Sequence, residues 1–328
     1  MSKSVEQNTQ RVLRGKDDFL SMGELSPMEF KTLLDLADLF KKERESKKLT
    51  HQMPGTSLAL LFEKPSTRTR VSFEVAMFEL GGHAVVLNQR DMQISRGESI
   101  EDTARVLSRF CHGIAARVYS HETLVRFAKS ASIPVINALS DLYHPCQTIA
   151  DLQTIRESKR KLRGLKIAWI GDGNNVCNSL LIGASLVGMD MSVGCPKGYT
   201  PLEEALTIAK KHSENGTRSK IVVTNDVREA ASGADVVVTD TFVSMGQDAE
   251  KEARLKTFLP EYRVNKELMS FAKEDAIFLH CLPAHRGEEV TSEVIDGPRS
   301  MIWNEAENRL HGQKAILYTL MKRFSMKS

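Results

Sequence analysis

Apolar positions along the chain change their period more than once. After a polar lead, Phe30, Leu33, Leu34, Leu36, Ala37 and Phe40 recur close to the 3.6-residue repeat of a helix. Ser26-Pro27 supplies the start signal, and Lys41-Lys42 lie toward the end. From about Thr56 short apolar runs at 58–62, 84–87, 114–118 and 135–138 predict strands, separated by helix-like stretches at 68–80, 98–110 and 122–131. A second series begins at Gly164, where L-K-I-A-W-I-G-D-G ends in a glycine turn. It continues with β-rich segments at 192–194, 220–224, 234–239 and 276–279. Parallel neighbours need crossover connections, so this alternation predicts an α/β chain of two domains, each a parallel β-sheet flanked by helices. The charged helical stretch at 148–162 is the natural bridge, and the segment 305–324 is helical again.

A length of 328 residues agrees with two domains, and 41% hydrophobic with 27% charged residues is an ordinary globular composition. The net charge is +3 and no run of Lys/Arg resembles a nucleic-acid footprint, so a polyanion partner is not implied. The N-terminus lacks the apolar stretch of a secretory signal, and no window is long enough to span a bilayer, so a cytoplasmic location without membrane partners is expected. Five scattered cysteines with no C-x-x-C pair argue against disulfides and a zinc ribbon.

Open α/β sheets bind ligands at the carboxyl ends of their strands. At the first such end, F-E-K-P-S-T-R-T-R, Ser66 and Thr67 sit at cap-like positions after Pro65, and Arg68 and Arg70 add charge. Backbone N–H groups, hydroxyls and the positive end of a helix make an anion site suited to phosphate. Arg117 interrupts an apolar strand, which is costly for a core-facing charge unless it meets an anion. The turn G-D-G-N-N-V at 171–176 fails the dinucleotide fingerprint, because its third glycine position is Val176. Asn174 reads as the turn residue. Cys281 is open to three readings: a nucleophile, a metal ligand with His280 and His285, or a buried inert thiol.

Taken together, S-T-R-T-R at 66–70, H-P-C-Q at 144–147 and H-C-L-P at 280–283 resemble the transcarbamoylase family. D-G-N-N at 172–175, D-T-F-V-S-M-G at 240–246 and E-A-E-N-R at 305–309 are similar to its ornithine-specific branch. The resemblance implies transfer of a carbamoyl group from carbamoyl phosphate to the δ-amine of L-ornithine, giving citrulline and phosphate, with a place in arginine biosynthesis. Another amine acceptor, putrescine or N-acetylornithine, and a non-catalytic binding protein on the same scaffold are the alternatives. The resemblance also implies a carbamoyl phosphate-binding domain at 1–150 plus 308–328 and an ornithine-binding domain at 151–307, joined by interdomain helices. No cofactor or metal is implied.

By the same resemblance Ser66, Thr67, Arg68, Thr69, Gln93, Arg117, His144, Gln147, Cys281, Leu282 and Arg309 contact carbamoyl phosphate. Arg117 and His144 would donate to its carbonyl oxygen, with Gln147 and the Cys281 and Leu282 carbonyls on its NH₂ group. Gln93 has nothing distinctive locally. In the family the matching residue reaches a neighbouring subunit's phosphate, which implies a homotrimer or a multiple of trimers with shared sites. Asn175 and the Met245 backbone would hold the ornithine carboxylate, Asp240 and Ser244 its α-amine, and Cys281 with Asp240 would lie beside the δ-nitrogen. An alkyl amine has a pKa near 10.4, so its neutral, attacking form costs about 4–5 kcal/mol at pH 7. The expected remedy is a desolvated site around Cys281 and Asp240 that lowers that pKa, without a covalent enzyme adduct.

Overall fold

The computed structural model describes residues 18–49, 51–244 and 246–324. It divides into two compact units: residues up to Gln153 together with those from Glu307 onward, and Thr154–Ala306. Both divisions fall inside helices. All five cysteines are free thiols.

In the first unit, helix α1 (Pro27–Glu45) starts at a capping box. The Ser26 hydroxyl accepts from Glu29 N at 3.3 Å, and Glu29 accepts from Ser26 N at 2.7 Å. There follow β1 (Ser57–Phe62), α2 (Thr67–Glu79), β2 (His83–Asn88), α3 (Ile100–Phe110), β3 (Gly113–Arg117), α4 (His121–Ser130), β4 (Val135–Leu139) and α5 (Pro145–Lys159). The four strands form a parallel sheet in the order β2-β1-β3-β4. Its interior strands are buried on both faces, which is why they read as continuous apolar runs. Phe62 pairs with Arg117, so the turn after β1 and the end of β3 lie side by side. The order reverses at this point, because β2 lies on one side of β1 and β3 on its opposite side. That is where an open α/β sheet offers a crevice.

The second unit contains β5 (Lys166–Ile170), α6 (Asn175–Val187), β6 (Asp190–Gly194), α7 (Glu203–His212), β7 (Ile221–Thr224), α8 (Val227–Ala231) and β8 (Val236–Thr239). It ends with α9 (Lys251–Phe258), α10 (Lys266–Phe271), β9 (Ile277–His280) and α11 (Ser292–Ile295). Helix α12 (Ile302–Met321) then carries the chain back into the first unit. These five strands are also parallel, in the order β7-β6-β5-β8-β9, so the switch point lies between β5 and β8. Thr239 pairs with His280, which makes the next residues, Asp240 and Cys281, neighbours at the carboxyl edge.

Gly173 has a specific packing reason. A Cβ there would stand 2.3 Å from Pro201 N and 2.4 Å from the Thr200 carbonyl carbon. Its N–H donates to Tyr199 O at 2.8 Å. The glycine turn is thus closed over by the protein's own 199–201 backbone. Among the described residues, no helix is long and apolar enough to cross a membrane.

Candidate active site

In the first unit Ser66 is the N-cap of α2 and accepts from Thr69 N at 3.3 Å, while Thr67 is the first helical residue. Arg309 reaches the first turn of α2 and the start of α5: its Nη2 donates to Thr69 Oγ1 at 3.3 Å and its Nη1 to Gln147 Oε1 at 2.7 Å. Gln147 Nε2 donates in turn to Asp151 Oδ1 at 2.8 Å, which fixes the amide's orientation. Arg117 is the last residue of β3 and 7% exposed.

His144 stands immediately before α5 and is 4% exposed. Burial, then the positive charges of Arg309, Arg117 and Arg68, holds its pKa well below the usual histidine value. The ring is therefore neutral at pH 7 and can donate from one nitrogen to a developing oxyanion without carrying charge itself. Arg68, Thr69, Arg117, His144, Gln147 and Arg309 thus form one cationic group around the switch point. Arg70 does not join it, being exposed and turned toward Glu74 at 3.6 Å. Gln93 also stays apart, exposed in the short 3₁₀ turn Gln93–Arg96.

Cys146, inside the same motif, is fully buried and donates to Asn137 O at 3.4 Å. Burial pushes its thiol up to about 12, and Cys195 to about 11 for the same reason. Neither is suited to act as a thiolate.

In the second unit Cys281 Sγ donates to Asp240 Oδ1 at 3.1 Å, and Thr241 N donates to the same oxygen at 2.8 Å. Asp240 Oδ2 accepts from Asn174 Nδ2 at 2.8 Å. Asn174 is also the N-cap of α6, its Oδ1 accepting from Val176 N and Cys177 N. A turn role alone understates it. The same amide terminates a helix and aims a carboxylate across the β5–β8 switch point. Asn175 is the first residue of α6, partly buried. Ser244 is partly buried in a turn closed by Gln247, whose side chain accepts from Ser244 N at 3.0 Å. Met245 lies outside the described residues.

Leu282 takes φ 58°, the left-handed region, and a cis bond joins it to Pro283. His280 organises this turn. Its Nδ1 accepts from Leu282 N at 2.9 Å, which leaves the ring proton on Nε2, facing Glu289 Oε1 at 3.2 Å. Both ring nitrogens are therefore engaged. Asp240, His280 and Cys281 lie close enough to share an ion, but His285 groups with Glu288 and Glu289 instead of with Cys281.

The chain matches two adjoining family models, "Aspartate/ornithine carbamoyltransferase, carbamoyl-P binding domain" over residues 17–157 and "Aspartate/ornithine carbamoyltransferase, Asp/Orn binding domain" over residues 163–320. The chain belongs to the aspartate/ornithine carbamoyltransferase family. Within the family it is 56% identical over 309 residues to an ornithine carbamoyltransferase from Carboxydothermus hydrogenoformans, covering 94% of this chain and 98% of that one. An ornithine carbamoyltransferase from Methanosarcina acetivorans is 53% identical over 307 residues, 94% of this chain and 100% of its own length. Among solved structures, ornithine carbamoyltransferase from Pyrococcus furiosus superposes with a TM-score of 0.90 at 48% identity, covering 94% of this chain and 98% of that chain. The anabolic enzyme from Campylobacter jejuni gives 0.87 at 43% identity, with 93% and 99% covered.

Four features around these carbamoyltransferase motifs escape a reading of the sequence: Asp151, Glu289, the bond from Asn174 to Asp240 and the Asp172–Arg254 ion pair. Arg254 is 5% exposed, bonds Asp172 and donates from Nε to Phe242 O at 2.5 Å. Burial raises the Asp172 pKa, with the Arg254 charge acting against it. Only Asp172 and Asn174 carried a signal, their place inside D-G-N-N; their partners lie too far along the chain.

Proposed function

We propose that this protein transfers the carbamoyl group of carbamoyl phosphate to the δ-amine of L-ornithine, giving L-citrulline and phosphate. The observation that carries the reading to the acceptor is the Cys281–Asp240 contact at 3.1 Å on paired strand ends, in a chain about half identical to ornithine carbamoyltransferases along nearly all its length. The first unit is the carbamoyl phosphate-binding domain and the second the ornithine-binding domain.

In this reading the α2 N-terminus with Ser66, Thr67, Arg68 and Thr69 takes the phosphate, together with Arg309 and a partner subunit's copy of Gln93. Arg117 and neutral His144 donate to the carbonyl oxygen as negative charge grows on it during attack. One such donor is worth about 3–4 kcal/mol. Gln147 and the backbone carbonyls of Cys281 and Leu282 accept from the carbamoyl NH₂. Asn175 and Met245 N–H hold the ornithine carboxylate, Asp240 and Ser244 the α-amine. The Cys281–Asp240 pair favours a neutral δ-amine, which attacks the carbonyl carbon. The tetrahedral intermediate then collapses, breaking the C–O bond to phosphate, which departs with the proton. No bond to the enzyme forms. The protein works as a homotrimer or a multiple of trimers, in the cytoplasm, in arginine biosynthesis.

Product formation with ornithine, putrescine and N-acetylornithine, each with carbamoyl phosphate, tests the acceptor. Ornithine should be preferred by orders of magnitude. Faster turnover of either competitor would overturn the assignment.

A further inference from the structure

The turn after β9 gathers a second set of ligating groups, separate from the residues assigned to either substrate. His285, Glu288 and Glu289 each present a donor atom, and the three atoms lie within 4.8 Å of one another. Glu289 is fully buried, at 0% exposure. Its Oε1 accepts from His280 Nε2 at 3.2 Å and from His285 N at 2.5 Å. Its Oε2 makes no hydrogen bond among the described residues and stands 3.7 Å from His285 Nδ1, beyond hydrogen-bond reach. A buried carboxylate oxygen without a donor has given up its water with nothing in exchange, which is costly. The arginines on and against the turn are engaged elsewhere. Arg286 is turned outward in a two-bond pair with Asp296 at 2.7 and 2.8 Å. Arg263 spends its Nη1 on Gly287 O at 3.0 Å.

We propose that His285 Nδ1, Glu288 and Glu289 Oε2 bind a divalent first-row transition cation, of which Zn²⁺ is the best match. One imidazole and two carboxylates, with room for water on the exposed side, is a donor set for borderline ions. Bonds of 2.0–2.1 Å in a tetrahedron put neighbouring ligand atoms about 3.3 Å apart. The 3.7 Å separation of Nδ1 and Oε2 is already near that value. His285, half-exposed, and Glu288, partly buried, can supply the remaining movement toward the fixed Glu289. The ion takes no part in carbamoyl transfer. It would sit one carboxylate away from His280, and so from the turn that carries Cys281 and Leu282. The inference does not depend on the acceptor assigned above.

The full-length protein, stripped with a chelator, is titrated with Zn²⁺ by calorimetry and with Co²⁺ by visible absorbance. The expected result is one saturable equivalent and weak cobalt ligand-field bands without a thiolate-to-cobalt charge-transfer band. His285→Ala and Glu288→Gln should each weaken binding by about tenfold or more, since even an outer-shell partner is worth roughly 10- to 100-fold. Cys281→Ser should bind as the parent does. Two results would overturn the proposal: no saturable uptake by the parent protein, or uptake with a thiolate band that Cys281→Ser abolishes and His285→Ala preserves.

Discussion

Replacing Asn174 separates two jobs that one amide performs. Its Oδ1 caps α6 through Val176 N at 3.0 Å and Cys177 N at 3.1 Å, and its Nδ2 donates to Asp240 Oδ2 at 2.8 Å. Serine is as good an N-cap as asparagine, so in Asn174→Ser the capping contribution to unfolding free energy should change by no more than about 0.5 kcal/mol. It removes the donor to Asp240, however, and a hydrogen bond to a charged group is worth about 1.5–3 kcal/mol. If that aim is needed in the transition state, kcat/KM for ornithine at saturating carbamoyl phosphate falls about 10- to 100-fold. Asn174→Asp keeps the cap as well but sets a second carboxylate against Asp240, and should lose more activity than the serine variant. Asn174→Ala loses the cap too, adding about 1 kcal/mol of destabilisation. The assay is steady-state citrulline formation beside urea unfolding of each variant. Wild-type kcat/KM in Asn174→Ser would show that Asn174 is a cap and nothing more.

Other outcomes follow from the same geometry. His144→Gln should lower kcat about 10²- to 10³-fold, the usual cost of one oxyanion donor, measured at saturating substrates. The same variant tests the histidine's protonation. Because the folded pKa lies well below 6.5, the unfolded chain takes up this proton first as pH falls. The parent therefore loses up to about 1.4 kcal/mol per pH unit below about 6.5 from this group. Stability of His144→Gln between pH 6.5 and 5 should fall less steeply; equal slopes would contradict the neutral, buried ring. Arg254→Met leaves Asp172 without its guanidinium and should destabilise the second unit by about 3–5 kcal/mol. Asp172→Asn added to it should recover part of that loss in denaturant unfolding, whereas simple additivity would mean that the pair is not coupled.

Strands were legible in the sequence because both faces of a parallel interior strand are buried, so the residues at 58–62 and 236–238 form unbroken apolar runs. Boundaries moved where polar residues enter a strand. The run read at 192–194 begins at Asp190, whose side chain accepts from Lys220 N and thereby fastens a strand start. The bridging helix read at 148–162 begins at Pro145, the first-turn position that tolerates a missing N–H. Motifs at strand ends were legible because chemistry concentrates there, and the registers Phe62 with Arg117 and Thr239 with His280 explain why distant motifs meet. What stayed hidden were supports whose partners lie far along the chain. Asn174 reaches Asp240 across 66 positions, and Arg254 reaches Asp172 across 82. No local pattern encodes such a pairing. The fold creates it by setting β5 beside β8.

The central claim is that the Asp240–Cys281 half-site serves the δ-amine of ornithine, and carbamoyl phosphate labelled with ¹³C at its carbonyl tests it most directly. In the presence of ornithine the label should move into citrulline with one phosphate released per citrulline, and Asp240→Asn should slow that transfer by at least about 100-fold. Phosphate release without labelled citrulline, or transfer by Asp240→Asn at the parent rate, would contradict the account.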